Sequence, residues 1–387
     1  MKNYKELIEE NRAWAEETYK KLEAKMSEMT IRSRNKVPDG VDENGFHVEQ
    51  DILWWTNGFW GALNWLLYNH TKDDKYMLTA KTSEKLMDAA LCQYDELHHD
   101  VGFMFHLLSG PSYTFTGDKN SRTRDLFAAS LLASRFVLDG GFIRAWNGTK
   151  GPESINYNWS IVDCLMNLPV LYWASRELGD DRFKRIAMAH ADMSLMDHLR
   201  EDGSVVHIVE HDRETGEVVK THGGQGICVG SSWSRGQAWG LYGFTLSYIH
   251  TGEERYLNGA KQVANYFIAN CCDDWLPRVD FRAPSEPVYY DATAGACAAC
   301  GMLELGRRLP EHEGGMYTHA AINILKAMTE RFCNFDPTND HMLDYGSYWY
   351  PKAGEDPAKC VHKSIIYADY FYTEAILKLL GEEFIPW

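Results

Sequence analysis

Two aspartates stand in settings that favour chemistry. Asp163 is the only acidic residue between Ile155 and Ala174, and most of its neighbours are apolar. A lone carboxyl group in an apolar segment is expensive to bury in charged form, so it either caps a backbone group or has a raised pKa suited to proton transfer. Asp100 follows two histidines and precedes Val101 and Gly102. We interpret it as a catalytic or ligand-facing carboxylate, with a helix-capping loop residue as the alternative.

Metal chemistry is the competing interpretation of the His98-His99-Asp100 run. Adjacent histidines cannot easily both reach one ion, and the chain has no H-E-x-x-H pattern. The single C-x-x-C, Cys297 to Cys300, lies in a run of small residues that is typical of core packing. A lone cysteine pair does not complete a tetrahedral zinc site. We therefore predict no metal site.

The stretch Ser231–Phe244, SSWSRGQAWGLYGF, predicts a helix start that faces a ligand. Its serines offer a cap, and Arg235 and Trp239 stand four residues apart on one face. Three glycines form a second stripe, and each costs about 1 kcal/mol against alanine, so a close approach by another backbone or a ligand is expected. Aromatic rings, a guanidinium and an amide together suit a sugar acid. The alternative is a tightly packed aromatic core helix.

The whole-chain composition narrows the function classes. The 387 residues have a formal net charge of −16, which disfavours nucleic acid as a partner. Aromatic residues make up 13% of the chain, including 13 Trp and 21 Tyr, which favours an aromatic-lined cleft. We find no apolar run of membrane-spanning length and no signal peptide. Nine cysteines without framework spacing suit a reducing cytoplasm, so a cytoplasmic location is expected.

The elements that must position these residues are mostly helices. Short turns recur at residues 71–76, 116–119, 178–183 and 251–256, where acidic residues begin a helix and a basic residue follows. Each is typical of a helical hairpin, and repeated hairpins indicate a solenoid or a closed toroid. The helical segments that we predict are 3–29, 57–70, 73–94, 102–115, 119–138, 158–178, 181–200, 233–251, 253–270, 292–309, 313–334 and 365–381.

Twelve helices in hairpins predict an all-α fold, an (α/α)6 barrel, as a single domain over residues 1–387. A strand hairpin is expected from Ser204–Val209 and Thr215–Val219. The short connections would lie at one rim and the long loops at the other. Those long loops are rich in Trp, His, Asp and Tyr, so the rim that they form is expected to bear the site. The long segments are 30–56, 95–101, 139–157, 201–232, 273–291 and 335–363.

Four motifs resemble the unsaturated glucuronyl hydrolases of glycoside hydrolase family 88, which include the unsaturated chondroitin disaccharide hydrolases. They are WTNGFW at 55–60, HHDVGF at 98–103, IVDCLMNLP at 161–169 and SWSRGQAWGLYGF at 232–244. Segments 346–348 and 368–372 are also similar. The match runs in order from about residue 50 to 380. The resemblance implies the same (α/α)6 barrel.

The resemblance also implies a reaction. Enzymes of this family remove a 4,5-unsaturated uronic acid from the non-reducing end of lyase-generated oligosaccharides by hydrating the C4=C5 double bond, without a metal or organic cofactor. By motif, Asp163 would be the general acid/base and Asp100 would support it, and nearby like charges would raise one pKa further. The binding residues that the resemblance implies are Trp55, His99, Trp146, His207, Gln225, Trp233, Arg235, Trp239 and Tyr348.

Two departures and two alternatives accompany this interpretation. Asn57 stands where some relatives have Asp, so a supporting carboxylate is missing there. Relatives that act on sulfated fragments carry a serine-and-lysine stretch near residues 349–352, and here only Lys352 offers a sulfate donor, which puts a preference for sulfated substrates in doubt. An unsaturated rhamnogalacturonyl hydrolase on the same barrel is one alternative, and a non-catalytic sugar-acid binding protein is the other. The expected partner is an unsaturated uronyl oligosaccharide, with no nucleic acid and no membrane. The expected assembly is a monomer or a weak homodimer.

Overall fold

Helices dominate the computed structural model, which describes residues 2–148, 153–271 and 273–387. Twelve helices in that part of the chain have ten or more residues. They are α1 (Tyr4–Arg32), α2 (Gly58–Thr71), α3 (Asp74–Leu86), α4 (Leu107–Thr116), α5 (Lys119–Ser134), α6 (Pro169–Leu178), α7 (Arg182–Met193), α8 (Ser234–Thr251), α9 (Glu254–Cys271), α10 (Ala292–Arg308), α11 (Glu311–Arg331) and α12 (Ile366–Leu379).

The even-numbered helices form a closed inner ring. Helix α2 packs against α4 and α12, α8 packs against α6 and α10, α10 packs against α12, and the turn leading into α4 contacts α6. All of α12 is buried, as are the stretches 58–67 of α2 and 234–247 of α8, which is expected of helices enclosed on every side. The odd-numbered helices pack outside this ring. The protein is an (α/α)6 barrel, as the sequence predicts.

The four predicted hairpin turns are confirmed. The inner helices α2, α4, α6 and α8 end at Thr71, Thr116, Leu178 and Thr251, and the next helix starts within four residues in each case. Gly117, Gly179 and Gly252 follow three of these ends with φ of 69°, 63° and 74°, the left-handed conformation that glycine adopts without strain.

Two helices are shorter than predicted, since α3 ends at Leu86 rather than at 94 and α5 ends at Ser134 rather than at 138. Strands β1 (Pro38–Val41), β2 (His47–Glu49), β3 (Phe136–Val137) and β4 (Phe142–Ile143) form two short hairpins before residue 158.

A third segment differs in type. The helix expected over 158–178 is instead strand β5 (Trp159–Ile161), a 3₁₀ turn (Val162–Met166) and α6. The physical reason is that β5 pairs with β6 (Ile208–His211), which in turn pairs with β7 (Val218–His222), in a three-stranded antiparallel sheet. Pro169 has no N–H to donate, so it begins α6 rather than bending a longer helix. The expected hairpin therefore exists, shifted by several residues.

The long loops lie at one end of the barrel, because each of them leads into an inner helix. All six inner helices consequently present their N-termini, the positive ends of their dipoles, to the same rim. One hydrophobic core cluster includes residues from Leu7 to Trp387, and the single domain over 1–387 stays a prediction. No helix of the described residues has the length and apolarity that a bilayer crossing requires.

Candidate active site

A cavity of about 300 Å³ opens among the long loops and brings together seven of the eleven predicted site residues. Its lining consists of Trp54, Trp55, His98, His99, Asp100, Trp146, Ile161, Asp163, His207, Ile208, Gly224 and Gln225. The site is therefore aromatic on its walls, and its polar groups are carboxylates, imidazoles and an amide. Within the described part of the chain, this lining contains no Arg or Lys.

Asp163 lies on the 3₁₀ turn that directly follows β5. Its Oδ2 is 3.5 Å from His207 Nε2, and its side chain is 16% exposed. The backbone N–H of Gln225 donates to His207 Nδ1 at 3.0 Å, so a neutral His207 has its proton on Nε2, facing Asp163. A Cβ on Gly224 would lie 2.0 Å from His207 Nδ1, so only glycine permits this approach.

Asp100 is held by several donors. His98 Nδ1 lies 3.2 Å and His99 Nε2 lies 3.4 Å from Asp100 Oδ2, and Asn167 Nδ2 donates to Oδ1 at 3.1 Å. Burial opposes the charge of Asp100, but His99, His98 and Asn167 outweigh burial and hold its pKa below the ordinary value. Burial also lowers the pKa of His99 to about 4, against the pull of Asp100. At neutral pH, Asp100 is therefore a carboxylate and His99 is neutral.

Asn167 connects the two aspartates. Its Nδ2 donates to Asp100 Oδ1 and also lies 3.3 Å from the Asp163 carbonyl, while its Oδ1 accepts the backbone N–H of Phe103 at 2.8 Å. Asn167 is not among the site residues predicted from the sequence, although it stands four positions after Asp163 in the same motif. Trp54 and His98 also line the cavity without having been predicted, and each is adjacent to a predicted site residue.

The His98-His99-Asp100 group corrects one argument made from the sequence. The ligand atoms of the three residues all lie within 4.8 Å of one another, so adjacent histidines do face one point here. This proximity also follows from both imidazoles lying within 3.4 Å of Asp100 Oδ2. The absence of a catalytic metal stays a prediction.

The start of α8 lies behind the cavity. Trp233 caps the helix by its backbone instead of a serine side chain, and Trp233, Arg235 and Trp239 are at most 1% exposed. The Trp233 ring packs 4.3 Å from the His207 ring. Arg235 Nη1 pairs with Asp291 Oδ2 at 3.0 Å and also donates to the Ser347 carbonyl. These residues therefore lie outside the cavity lining and support it from behind.

The glycine stripe of α8 has the close contact that its sequence predicts. A Cβ on Gly243 would lie 2.5 Å from Leu165 Cβ, which belongs to the 3₁₀ turn of Asp163. The Asp163 turn therefore packs directly on the helix backbone. Asn57 has a comparable structural role, because its Nδ2 donates to the carbonyls of Asp51 and Ile52 at 2.9 and 3.0 Å.

Tyr348 borders a second, larger cavity of about 670 Å³. Its hydroxyl donates to Asp39 Oδ2 at 3.1 Å, and Trp54 Nε1 donates to Asp39 Oδ1 at 3.0 Å. Its backbone carbonyl accepts the side-chain amide of Gln225. Tyr348 and Asp39 therefore connect the two cavities.

Known proteins match this chain over most of its length. The family model described as Glycosyl Hydrolase Family 88 matches residues 21–269. The chain is 35% identical to the unsaturated glucuronyl hydrolase of Bacillus sp. (strain GL1) over 89% of this chain and 91% of the relative. It is 33% identical to the unsaturated chondroitin disaccharide hydrolase of Streptococcus pneumoniae (strain ATCC BAA-255 / R6), over 86% of this chain and 83% of the relative.

Solved structures are similar along nearly the whole chain. The unsaturated glucuronyl hydrolase structure from Bacillus sp. GL1 superposes with a TM-score of 0.87 at 32% identity, covering 94% of this chain and 96% of that one. The structure of a UGL variant with dGlcA-Glc-Rha-Glc gives a TM-score of 0.86 with the same identity and coverage.

Proposed function

Because the chain belongs to Glycosyl Hydrolase Family 88, we propose that the 300 Å³ cavity is the site where it removes a 4,5-unsaturated uronic acid from the non-reducing end of an oligosaccharide. The protein is a glycoside hydrolase that acts by hydrating the C4=C5 double bond. One observation carries the assignment of the site: Asp163 and Asp100 line one cavity, and Asn167 contacts both of them.

In the proposed mechanism, Asp163 in its acid form protonates C4. Positive charge then develops at C5 and the ring oxygen, where the ionised Asp100 stabilises it. The Asp163 carboxylate next removes a proton from water, whose oxygen bonds to C5, and this regenerates the acid form. The resulting hemiketal rearranges to a keto-uronate and releases the neighbouring sugar. The Nε2 proton of His207 faces Asp163 Oδ2 and orients the carboxyl group during both proton transfers.

We assign binding roles by position. Trp55 and Trp146 offer ring surfaces to the C–H faces of the sugar, and His99, His207 and Gln225 offer hydrogen-bonding groups. Trp233, Arg235 and Trp239, predicted as binding residues, would act from behind the lining. The positive N-terminal ends of the six inner helices favour an anionic sugar at this rim, even though the chain as a whole is acidic.

The rest of the oligosaccharide would extend from the site toward the second cavity at Tyr348. Four carboxylates line that cavity, those of Asp39, Asp42, Glu43 and Asp344, against two lysines, Lys359 and Lys363. This charge balance repels a sulfate group. We therefore expect an unsulfated sugar next to the uronate.

The experiment measures the turnover of unsaturated disaccharides from chondroitin, hyaluronan, heparin and rhamnogalacturonan. Turnover is detected as the loss of the ultraviolet absorbance of the double bond. We expect turnover of unsulfated uronyl disaccharides, slower turnover of sulfated ones, and no change with a chelator. Faster turnover of the rhamnogalacturonan fragment, or binding without turnover of any member, would contradict the proposal. Loss of activity with the chelator would instead support a metal site at His98-His99-Asp100.

Two further proposals concern the protein in the cell. A cytoplasmic location is supported by nine cysteines without framework spacing. It implies that the disaccharides are imported before cleavage. Cell fractionation tests the location. A monomer or weak homodimer is the proposed assembly, and size-exclusion chromatography with light scattering over a concentration series tests it.

A further inference from the structure

We propose that Arg135 is a positioning residue of the active site, which joins the His98–Asp100 turn to the Trp146 loop and supplies them with a buried positive charge. The inference rests on the function proposed above. The proposed substrate is an anion, but no Arg or Lys lines the described site, and the charge of Arg235 is already paired with Asp291.

The guanidinium of Arg135 contacts both loops at once. Its Nε donates to the Arg144 carbonyl at 2.8 Å and its Nη2 to the Ala145 carbonyl at 3.0 Å, one residue before Trp146. Its Nη1 donates to the Leu97 carbonyl at 3.3 Å, one residue before His98, and to Asn147 Oδ1 at 2.6 Å. One planar group therefore holds the backbone carbonyls of the residues that directly precede His98 and Trp146.

Asn147 completes the same connection. Its Nδ2 donates to the carbonyls of Asp95 and Leu97 at 2.6 and 2.9 Å. The backbone N–H of His99 also donates to the Ala145 carbonyl at 3.2 Å. These hydrogen bonds add to the packing of the Trp146 ring on the rings of His98 and His99, and Arg135 is a donor shared by both loops.

The charge of Arg135 is not neutralised by a partner. The side chain is buried, and within the described residues no carboxylate lies at ion-pair distance, whereas Arg122 on the neighbouring helix α5 pairs with Glu177 at 2.5 Å. Burial and the nearby Arg144 lower the pKa of Arg135 to about 10, so it remains charged at neutral pH. Cys164, Tyr94 and, least of the three, Asp100 favour the charged form of Arg135, and by the same interaction Arg135 favours an ionised Asp100.

The test compares Arg135→Met, which removes charge and donors, with Arg135→Lys, which keeps the charge but cannot span all the acceptors. We expect Arg135→Met to raise KM about tenfold or more, because the sugar-facing side chains lose their alignment. The acid limb of the kcat/KM profile should also move to higher pH, because Asp100 loses a favourable charge. Arg135→Lys should restore the pH profile and only part of KM. Arg122→Met is the matched control, with both readouts unchanged.

The outcomes separate the possibilities. A folded Arg135→Met enzyme with wild-type KM and pH profile would overturn the proposal, as would an equal change in Arg122→Met. If Arg135→Met does not fold, Asn147→Ala takes its place, since it breaks one tie and leaves the charge: it should raise KM without moving the acid limb, and an unchanged KM would overturn the proposal. Wild-type protein without turnover of any unsaturated disaccharide would instead contradict the proposed function.

Discussion

The start of α8 and the cavity in front of it contain the same types of side chain in different states. Trp233, Arg235 and Trp239 are at most 1% exposed, and the arginine is committed to Asp291. In the cavity, Trp55 and Trp146 are partly exposed. Asp163 Oδ2 lies 3.5 Å from the His207 imidazole and has no hydrogen-bond partner among the described residues. Residue type alone therefore does not distinguish a scaffold from a reaction site, whereas ion pairing and solvent exposure do.

The two regions are nevertheless coupled. Trp233 packs on the His207 ring, and the Gly243 face of α8 receives the turn that bears Asp163. The rigid helix thus sets the position of the more open group. This organisation predicts that changes in the cavity reduce turnover while the fold remains, and that changes in α8 reduce stability first.

The largest effect is expected from Asp163→Asn. An amide cannot donate the proton to C4 or remove one from water, so kcat should fall by about 10² to 10⁴ while the substrate still binds. Steady-state kinetics and calorimetric titration with an unsaturated disaccharide measure the two quantities. Asp139→Asn, an exposed loop change, is the control. Near-normal turnover in Asp163→Asn would remove it from the mechanism.

Arg235→Met should act on stability instead. It leaves the Asp291 carboxylate buried without its partner, which costs about 3–5 kcal/mol of unfolding free energy. Urea unfolding of this variant, Asp291→Asn and the double variant measures the loss, and the double variant should lose less than the sum of the singles. If Arg235→Met kept wild-type stability and lost substrate affinity, Arg235 would belong to the binding site and the contrast between the two regions would fail.

Gly243→Ala tests the coupling itself. The added Cβ would lie 2.5 Å from Leu165 Cβ, so we expect a loss of about 1–3 kcal/mol together with a fall in kcat, because the Asp163 turn must shift. Gly240→Ala is the matched control. Its Cβ would lie 3.2 Å from a Val205 methyl group, which can move, and alanine favours the helix. Unfolding and turnover of both variants are measured, and equal behaviour would contradict the coupling.

Local patterns predicted much of this fold. Helix-ending glycines and the acidic starts that follow them located the hairpins at Thr71, Thr116, Leu178 and Thr251, because caps depend on neighbouring residues. The helix predicted over 158–178 was wrong, since a short apolar run does not by itself distinguish a strand from a helix. The partner of β5 lies about fifty residues later, in β6, and no local pattern reveals it.

The site was predictable in its members more than in their partners. The isolation of Asp163 and the family motifs indicated the residues that line the cavity. The pairing of Arg235 with Asp291 joins residues 56 positions apart, and the contacts of Asn167 join two loops. Such pairs depend on how the barrel closes, and local sequence does not reveal them. The sequence therefore predicted Arg235 as the partner of the uronate instead of the partner of Asp291. Because Arg235 is paired within the fold, we propose Arg135 as the buried cation that acts on the site.

The smallest effect concerns pH and two buried histidines, His99 in the site and His47 outside it. Burial lowers the pKa of each to about 4, whereas an unfolded histidine titrates near 6.5. Between about pH 6.5 and 4 the unfolded state binds the extra proton and the folded state does not. As the pH is lowered through this range, each histidine therefore reduces the free energy of unfolding by about 1 kcal/mol per pH unit. His99→Gln and His47→Gln should flatten the pH dependence of urea unfolding equally, and only His99→Gln should also reduce turnover. Equal loss of turnover in both variants would show that the two regions do not differ in the way proposed.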